Sequence, residues 1–284
     1  MEQAVIVDLV RTPVGRRNGS LSGWHPAELL GTTLAGLITR VGIDPALIDD
    51  VMVGCVTQVG AQSTNVARTA VLAAGWPVAV PGTTMDRQCG SSQQAIHFAA
   101  QSVMSGVNDI VVAAGIESMS SVPMFSNAPG GDITAVYGDV VGERFADREA
   151  FGHRGLVPQG ISAEMIAARW GLDRGPLDEF ALSSHEKAAA ARDSGRFRSQ
   201  ILPTLVKRRA RDTGEVSIGT EQLTEDECIR DTSIEALRSL APVFAPNGVI
   251  TAGNSSQISD VCSSDLPVFA PNGVITAGNS SQIS

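Results

Sequence analysis

Aromatic residues are scarce: one tyrosine, three tryptophans and eight phenylalanines make up 4 % of 284 residues. A core with so few large rings relies on small side chains and on helices lying close to a sheet. Basic side chains are also in deficit, 21 against 30 acidic ones, for a net charge of −9. That balance argues against a nucleic-acid partner, because phosphate neutralisation needs clustered Lys and Arg. No apolar run approaches the ~20 residues of a membrane span, so no membrane association is expected. The first apolar run contains Glu2 and Asp8 and is too short and acidic for a secretory signal. A cytoplasmic, reducing compartment follows as the expectation. The four cysteines, Cys55, Cys89, Cys228 and Cys262, form no CxxC pair, and the four histidines are scattered. Both features speak against a zinc ribbon or a thioredoxin-type site. In a reducing setting such cysteines are catalytic or buried rather than bridged. The one basic run, Lys207-Arg208-Arg209-Ala210-Arg211, reads as a solvated loop or as a contact for an anionic ligand.

What is present is globular: 43 % apolar and 18 % charged residues, with length for one large or two ordinary domains. Residues 4–9 read as a buried strand broken by Arg11-Thr12-Pro13. Residues 26–41 read as a helix, with Pro26 near its start and Gly42 at its end. Strands over 50–55, 83–85 and 109–114 alternate with helices over 66–74 and 89–104. The last of these is apolar on most sides and is expected to be buried. This alternation predicts an α/β fold, a mixed and mostly parallel sheet with helices on both faces. After Pro123 periodicity fades, and two helices follow over 162–170 and 176–194. On the second, Leu177, Phe180, Ala181, Ser184, Ala188 and Ala191 share a face. Residues 1–121 plus 242–260 therefore read as a core domain, and 122–241 as an α-rich loop domain over it. The segment PVFAPNGVITAGNSSQIS at 242–259 recurs letter for letter at 267–284, across VCSSDL. Solenoid repeats diverge and come in threes or more. Residues 261–284 accordingly read as a spacer and a duplicated tail, the product of a recent duplication or an assembly fault.

Cys89 sits where a strand ends and a helix begins, in Met85-Asp86-Arg87-Gln88-Cys89-Gly90-Ser91-Ser92. A helix N-terminus presents unpaired N–H groups and the positive end of the peptide dipoles, which favour thiolate over thiol. Gly90 permits close approach of a substrate carbonyl, and the same N–H groups suit a developing oxyanion. An inert core thiol is the competing reading, and both stand on residue chemistry alone. Cys55 reads as core, and Cys228, among Glu225, Asp226 and Glu227, as a poor nucleophile. A base partner is not evident. His97 is ~12 Å along the same helix, His185 reads as a surface residue, His25 lies in a loop, and His153 lies in the irregular segment.

Several segments together resemble the thiolases, the acetyl-CoA acetyltransferases and 3-ketoacyl-CoA thiolases. They are Arg11-Thr12-Pro13-Val14-Gly15 with Gly19-Ser20-Leu21, Asn65-Val66-Ala67-Arg68, Gly75-Trp76-Pro77, Cys89 itself, and Ala113-Ala114-Gly115-Ile116-Glu117-Ser118-Met119-Ser120. Gly160-Ile161-Ser162-Ala163-Glu164, Gly195-Arg196-Phe197 and Thr251-Ala252-Gly253-Asn254-Ser255-Ser256 complete the set. The resemblance implies the N-terminal half of a thiolase fold. It implies an acyltransferase of fatty-acid metabolism and β-oxidation that moves acyl groups between CoA thioesters through an acyl-cysteine: 3-ketoacyl-CoA + CoA = acyl-CoA + acetyl-CoA. Cys89 would be the acyl acceptor, Ser256 a contact of the pantetheine arm, and Gln159 with Gly160 the lining of the acyl pocket. CoA and acyl-CoA would be the partners, with no cofactor beyond them, and the full-length parent would be a homodimer or homotetramer.

The chain departs from the family pattern as well. The Cys-x-Ser-Gly of the family is Cys89-Gly90-Ser91-Ser92 here, and its His-Met is Pro158-Gln159, a change that points to a shifted acyl preference. The family's D-G-A is interrupted at Asp260-Val261. The NEAF, Gly-His-Pro and Cys-x-Gly segments are missing, and with them the activating histidine and the second catalytic cysteine. The chain thus reads as a truncated thiolase, itself inactive in turnover. The alternative is a non-catalytic CoA-binding or structural fragment. A ketosynthase-type condensing enzyme shares the fold but fits the motifs less well.

Overall fold

Residues 3–267 are described in a computed structural model. Along the chain run β1 (Ile6–Arg11), β2 (Gly15–Arg16), α1 (Pro26–Val41), β3 (Asp50–Gly54), α2 (Val66–Ala73), β4 (Thr83–Met85), α3 (Ser91–Met104) and β5 (Val111–Ser118). Then follow α4 (Gly138–Arg144), β6 (Glu149–Ala150), β7 (His153–Arg154), α5 (Gln159–Trp170), α6 (Arg174–Asp193), β8 (Thr204–Arg209), β9 (Val216–Leu223), α7 (Ile234–Arg238) and β10 (Ser259–Pro267). The chain divides into two compact units.

Residues 3–124, Arg196–Cys228 and Ile258–Pro267 form the first unit among the described residues. Its sheet has the order β1-β10-β5-β3-β4, with β2 paired to β10. Pairings β3–β4 and β3–β5 are parallel, while β10 runs antiparallel to β1, β2 and β5. One strand therefore runs against the rest, and the expected mixed α/β sheet is what forms. Helix α1 begins where sequence signals put it: Pro26 opens it, His25 Nδ1 accepts from Ala27 N at 3.3 Å, and Gly42 closes it at φ +75°. A left-handed C-cap of this kind favours glycine. The apolar face of α1 (Leu29, Leu30, Leu34, Leu37) is fully buried with Val10, Val51, Val53 and Val111–Ala114. At the start of α2, Asn65 caps Arg68 N. The same side chain donates to Gly82 O and accepts from the Thr84 hydroxyl, which ties the helix to β4.

Helix α3 departs from expectation. It buries one face only, Ser91, Ser92, Gln94, Ala95, Ala99 and Val103, while Phe98 and Met104 are exposed. Nothing among the described residues covers that second face. Ile6, Val7 and Leu9 of β1 are also exposed. The hairpin β8–β9 was expected in the loop domain but belongs to the sheet unit. Trp24 Nε1 donates to Leu205 O, Gly23 N to Lys207 O and Lys207 N to Ser20 O.

The return to the sheet also differs. Residues 242–257 stay in the second unit, and β10 makes the return. The boundary expected after Asp260 falls inside this strand: of the residues read as a spacer, Val261–Ser264 pair with β5 and Ser263–Leu266 with β1, so that Ser263 and Ser264 pair on both sides. The rest of the duplicated tail, 268–284, lies outside the described residues. Asp260 is fully buried; its Oδ1 accepts from Ser118 Oγ and Ser120 N, and its Oδ2 has no partner among the described residues. Desolvation pushes this carboxyl above the usual carboxylate range. The folded chain then holds a proton that the unfolded chain has released. Stability falls as pH rises through the ordinary Asp range and levels off above the folded-state pKa. In urea unfolding at pH 3 to 7, the stability of Asp260→Asn relative to the parent should therefore rise with pH; a falling difference contradicts the assignment.

Phe125–Gly195 and Ile229–Gln257 form the second unit. Helix α5 starts at Gln159 and ends at Gly171 with φ +62°. Its Glu164, 2 % exposed, accepts from Val249 N at 2.9 Å and Ile250 N at 3.0 Å. Helix α6 does not bury the face expected of it. Asp178 and Ala181 are its buried residues, whereas Phe180 is 64 % exposed. Asp178 is stabilised inside by Arg174 at 2.6 Å and by Asn254 Nδ2 at 3.1 Å, which makes a buried carboxylate tolerable.

Candidate active site

Cys89 follows a residue with left-handed backbone: Gln88 has φ +49°. Side chains fix this turn. Asp86 Oδ1 accepts from Gln88 N at 2.6 Å, and Ser91 Oγ takes Arg87 N at 2.9 Å while donating to Gln88 O at 2.5 Å. The cysteine is left outside α3, exposed, in the turn between β4 and the helix. Exposure removes the inert-core reading for this residue. The amides of Gly90 and Ser91 are bonded to Arg87 O and Gln88 O. The oxyanion role expected of these two amides is therefore closed to them.

Close seating of α3 follows from two glycines. A Cβ on Gly54 would fall on the backbone of Ser91 and Ser92, and one on Gly115 would lie 2.6 Å from Ser92 Cβ. Beyond them, Glu117 accepts from Val56 N at 2.8 Å and Gln62 Nε2 at 3.0 Å, which fixes the loop after β3. Cys55 is buried there, as expected. Desolvation first, then the charges of Glu117 and Asp86, push its thiol far above the ordinary range, so it is no nucleophile.

The other sequence-predicted residues belong to the second unit. Gln159 and Gly160 open α5; Gln159 is exposed, and Gly160 lies so close to Phe244 that a Cβ would enter its ring. Ser256 is exposed in the irregular stretch before β10. Asn254, two residues earlier, is fixed by Thr251 N, Val249 O and Asp178. Helix α5 and the segment 244–254 are thus tied together by Glu164 and Phe244. His185 is half-buried rather than fully at the surface; its Nδ1 accepts from Arg230 N at 3.3 Å, and burial, then Arg230, lower its pKa. Sequence reading quoted Glu164 and Glu117 only as motif letters and missed Asp86, Ser91 and Asp178 as braces. For Glu164 and Asp178 a carboxylate among apolar neighbours on a helix was the available signal. Among the described residues no cluster of three or more His, Cys, Asp or Glu is placed to hold a metal, and no helix is long and apolar enough to cross a membrane.

A family model for the thiolase N-terminal domain matches residues 4–266. The chain belongs to the thiolase family. It is 41 % identical to a steroid 3-ketoacyl-CoA thiolase of Mycobacterium tuberculosis over 94 % of this chain and 62 % of that protein. With a 3-ketoacyl-CoA thiolase of Pseudoalteromonas translucida the identity is 42 %, over 94 % and 64 %. A β-ketoadipyl-CoA thiolase of Escherichia coli is 37 % identical over 92 % and 64 %. The crystal structure of a Bacillus anthracis acetyl-CoA acetyltransferase superposes with a TM-score of 0.75 at 35 % identity, covering 94 % of this chain and 65 % of that one. The thiolase chain described here thus spans less than two thirds of the length of these relatives.

Proposed function

We propose that this chain is the part of a thiolase-type acyltransferase that carries the acyl-accepting cysteine. The observation behind the reading is the exposed Cys89 on a braced turn at the start of α3, after Gln88 at φ +49°. Its sulfur attacks the carbonyl carbon of an acyl-CoA. The carbon–sulfur bond to CoA breaks, and CoA leaves as a thiol with the proton that Cys89 gave up. An acyl-cysteine thioester remains, suited to a second transfer because a thiolate both attacks carbonyls and leaves well. CoA and acyl-CoA are the partners, Ser256 contacts the pantetheine arm, and Gln159 with Gly160 lines the acyl pocket. A cytoplasmic setting, acyl-CoA degradation and a homodimeric or homotetrameric parent complete the reading.

The second half-reaction needs a base for the α-proton of another acyl-CoA. No histidine of the sequence stands in a Gly-His-Pro segment, and Cys55 is buried with a raised pKa. That favours a chain which accepts an acyl group but does not turn over. Incubation with acetyl-CoA followed by mass spectrometry should give one acetyl group on the Cys89 peptide and none on Cys89→Ala. Thiolysis of acetoacetyl-CoA should stay at background. Acetylation that persists in Cys89→Ala refutes the assignment; turnover above background refutes the restriction to acylation.

A further inference from the structure

We propose that the cavity between the β8–β9 hairpin and the start of α1 binds an organic phosphate of nucleotide size. The basic run singled out in the sequence does not act as one patch. Register splits it: Lys207 pairs with Ile218, Arg208 with Ser217 and Arg209 with Val216. Side chains alternate across a strand, so Lys207, Arg209, Val216 and Ile218 share one face of the hairpin. All four line a cavity of about 550 Å³, together with Trp24, His25, Ser120 and Ser121. Arg208 points away, to Ser20 Oγ at 2.9 Å and Glu221 at 3.3 Å.

The cavity is charged for an anion and already ordered. Lys207 Nζ stands 3.5 Å from the centroid of the Trp24 ring and 3.4 Å from Glu28 Oε2, and it is 16 % exposed. One of its three donors serves Glu28. Arg209 spends one donor on Gly214 O and keeps the rest of its fork. The two residues are two apart on the strand, about 7 Å along its backbone, and their side chains leave on the same face, so that one multi-oxygen anion can meet both. The cavity also contains Glu28, which opposes any anion; Lys207 and Arg209 still leave the lining positive, and a phosphate monoester, with close to two charges, is drawn to it more strongly than a monoanion. The volume lies in the range of small-molecule sites and exceeds the need of inorganic phosphate alone. Trp24, Val216 and Ile218 give an apolar wall for the organic part.

This site is independent of the acyl-transfer reading, and the test keeps the two apart. AMP, adenosine and inorganic phosphate are titrated calorimetrically into the 284-residue chain and into Cys89→Ala. AMP should bind more tightly than either fragment and equally in both proteins. Arg209→Gln should weaken AMP about tenfold, as the loss of a charge-assisted hydrogen bond requires. Arg208→Gln, one residue away on the opposite face, should leave it within about twofold. Circular dichroism checks that both variants stay folded. Equal affinity for adenosine and AMP, equal losses in the two arginine variants, or no AMP binding at millimolar concentration overturns the proposal.

Discussion

Replacing Asp226 with alanine is expected to destabilise the chain by about 3–5 kcal/mol, the usual consequence of stranding one half of a buried ion pair. The stranded half is Arg11, at the end of β1. Its guanidinium meets Asp226 through two bonds of 2.6 and 2.9 Å, with side-chain exposures of 7 % and 10 %. A third donor goes to Gln200 Oε1 at 2.8 Å, and the Phe197 ring centroid lies 5.3 Å from the guanidinium carbon. Asp226 Oδ1 also takes Val14 N at 2.8 Å, so alanine there orphans a backbone amide as well. The pair itself need not add net stability, because desolvating both ions costs several kcal/mol. The double variant Arg11→Met/Asp226→Leu should therefore recover a large part of the loss. Urea unfolding of the two proteins decides it. A single-variant loss under about 1 kcal/mol, in the range of exposed pairs, contradicts the buried geometry.

That ion pair also shows what the sequence could and could not disclose. Arg11-Thr12-Pro13 was legible as a family segment, and as a break after the strand. In the structure the strand runs through Arg11, which pairs with Ser263 of β10, while its side-chain partner Asp226 sits over two hundred positions away, past the hairpin. Helix α1 was legible to the residue since Pro26 and Gly42 act locally. Helix α5 began three residues before its expected start, where Pro158 and Gln159 offer no N-cap side chain. Strand β10 was hidden for a plainer reason. Ser263, Ser264 and Asp265 have little β propensity, and their strand character comes from pairing with β1. The position of Cys89, in the turn between β4 and α3, was legible through strand, turn and glycine together. The burial of α3 was overread, since an apolar sequence reports what a helix prefers to cover and not whether a cover is present.

Valine at Gly54 is expected to cost about 3 kcal/mol or more and to take the reactivity of Cys89 with it. Overpacking usually costs about 1–3 kcal/mol, when side chains can shift. Here a Cβ would land on Ser91 C and Ser92 N, backbone atoms of the first turn of α3, which cannot rotate away. Relief requires the helix N-terminus to lift from β3. That movement stretches the contacts by which Ser91 Oγ grips Arg87 N and Gln88 O, and these hold Gln88 at φ +49°. Stability and the placement of Cys89 are thus coupled through one hydrogen atom on a β3 residue. The two effects separate under measurement. Urea unfolding reads the first. Acetylation by acetyl-CoA, followed on the fraction that remains folded, reads the second. Gly171, at the end of α5 with open space around it, is the control: alanine there meets the cost of a left-handed φ but should leave acetylation of Cys89 unchanged. If Gly54→Val stays folded and acetylates at the parent rate, the seating of α3 on Gly54 does not position the cysteine, and the brace at Asp86 and Ser91 is sufficient alone.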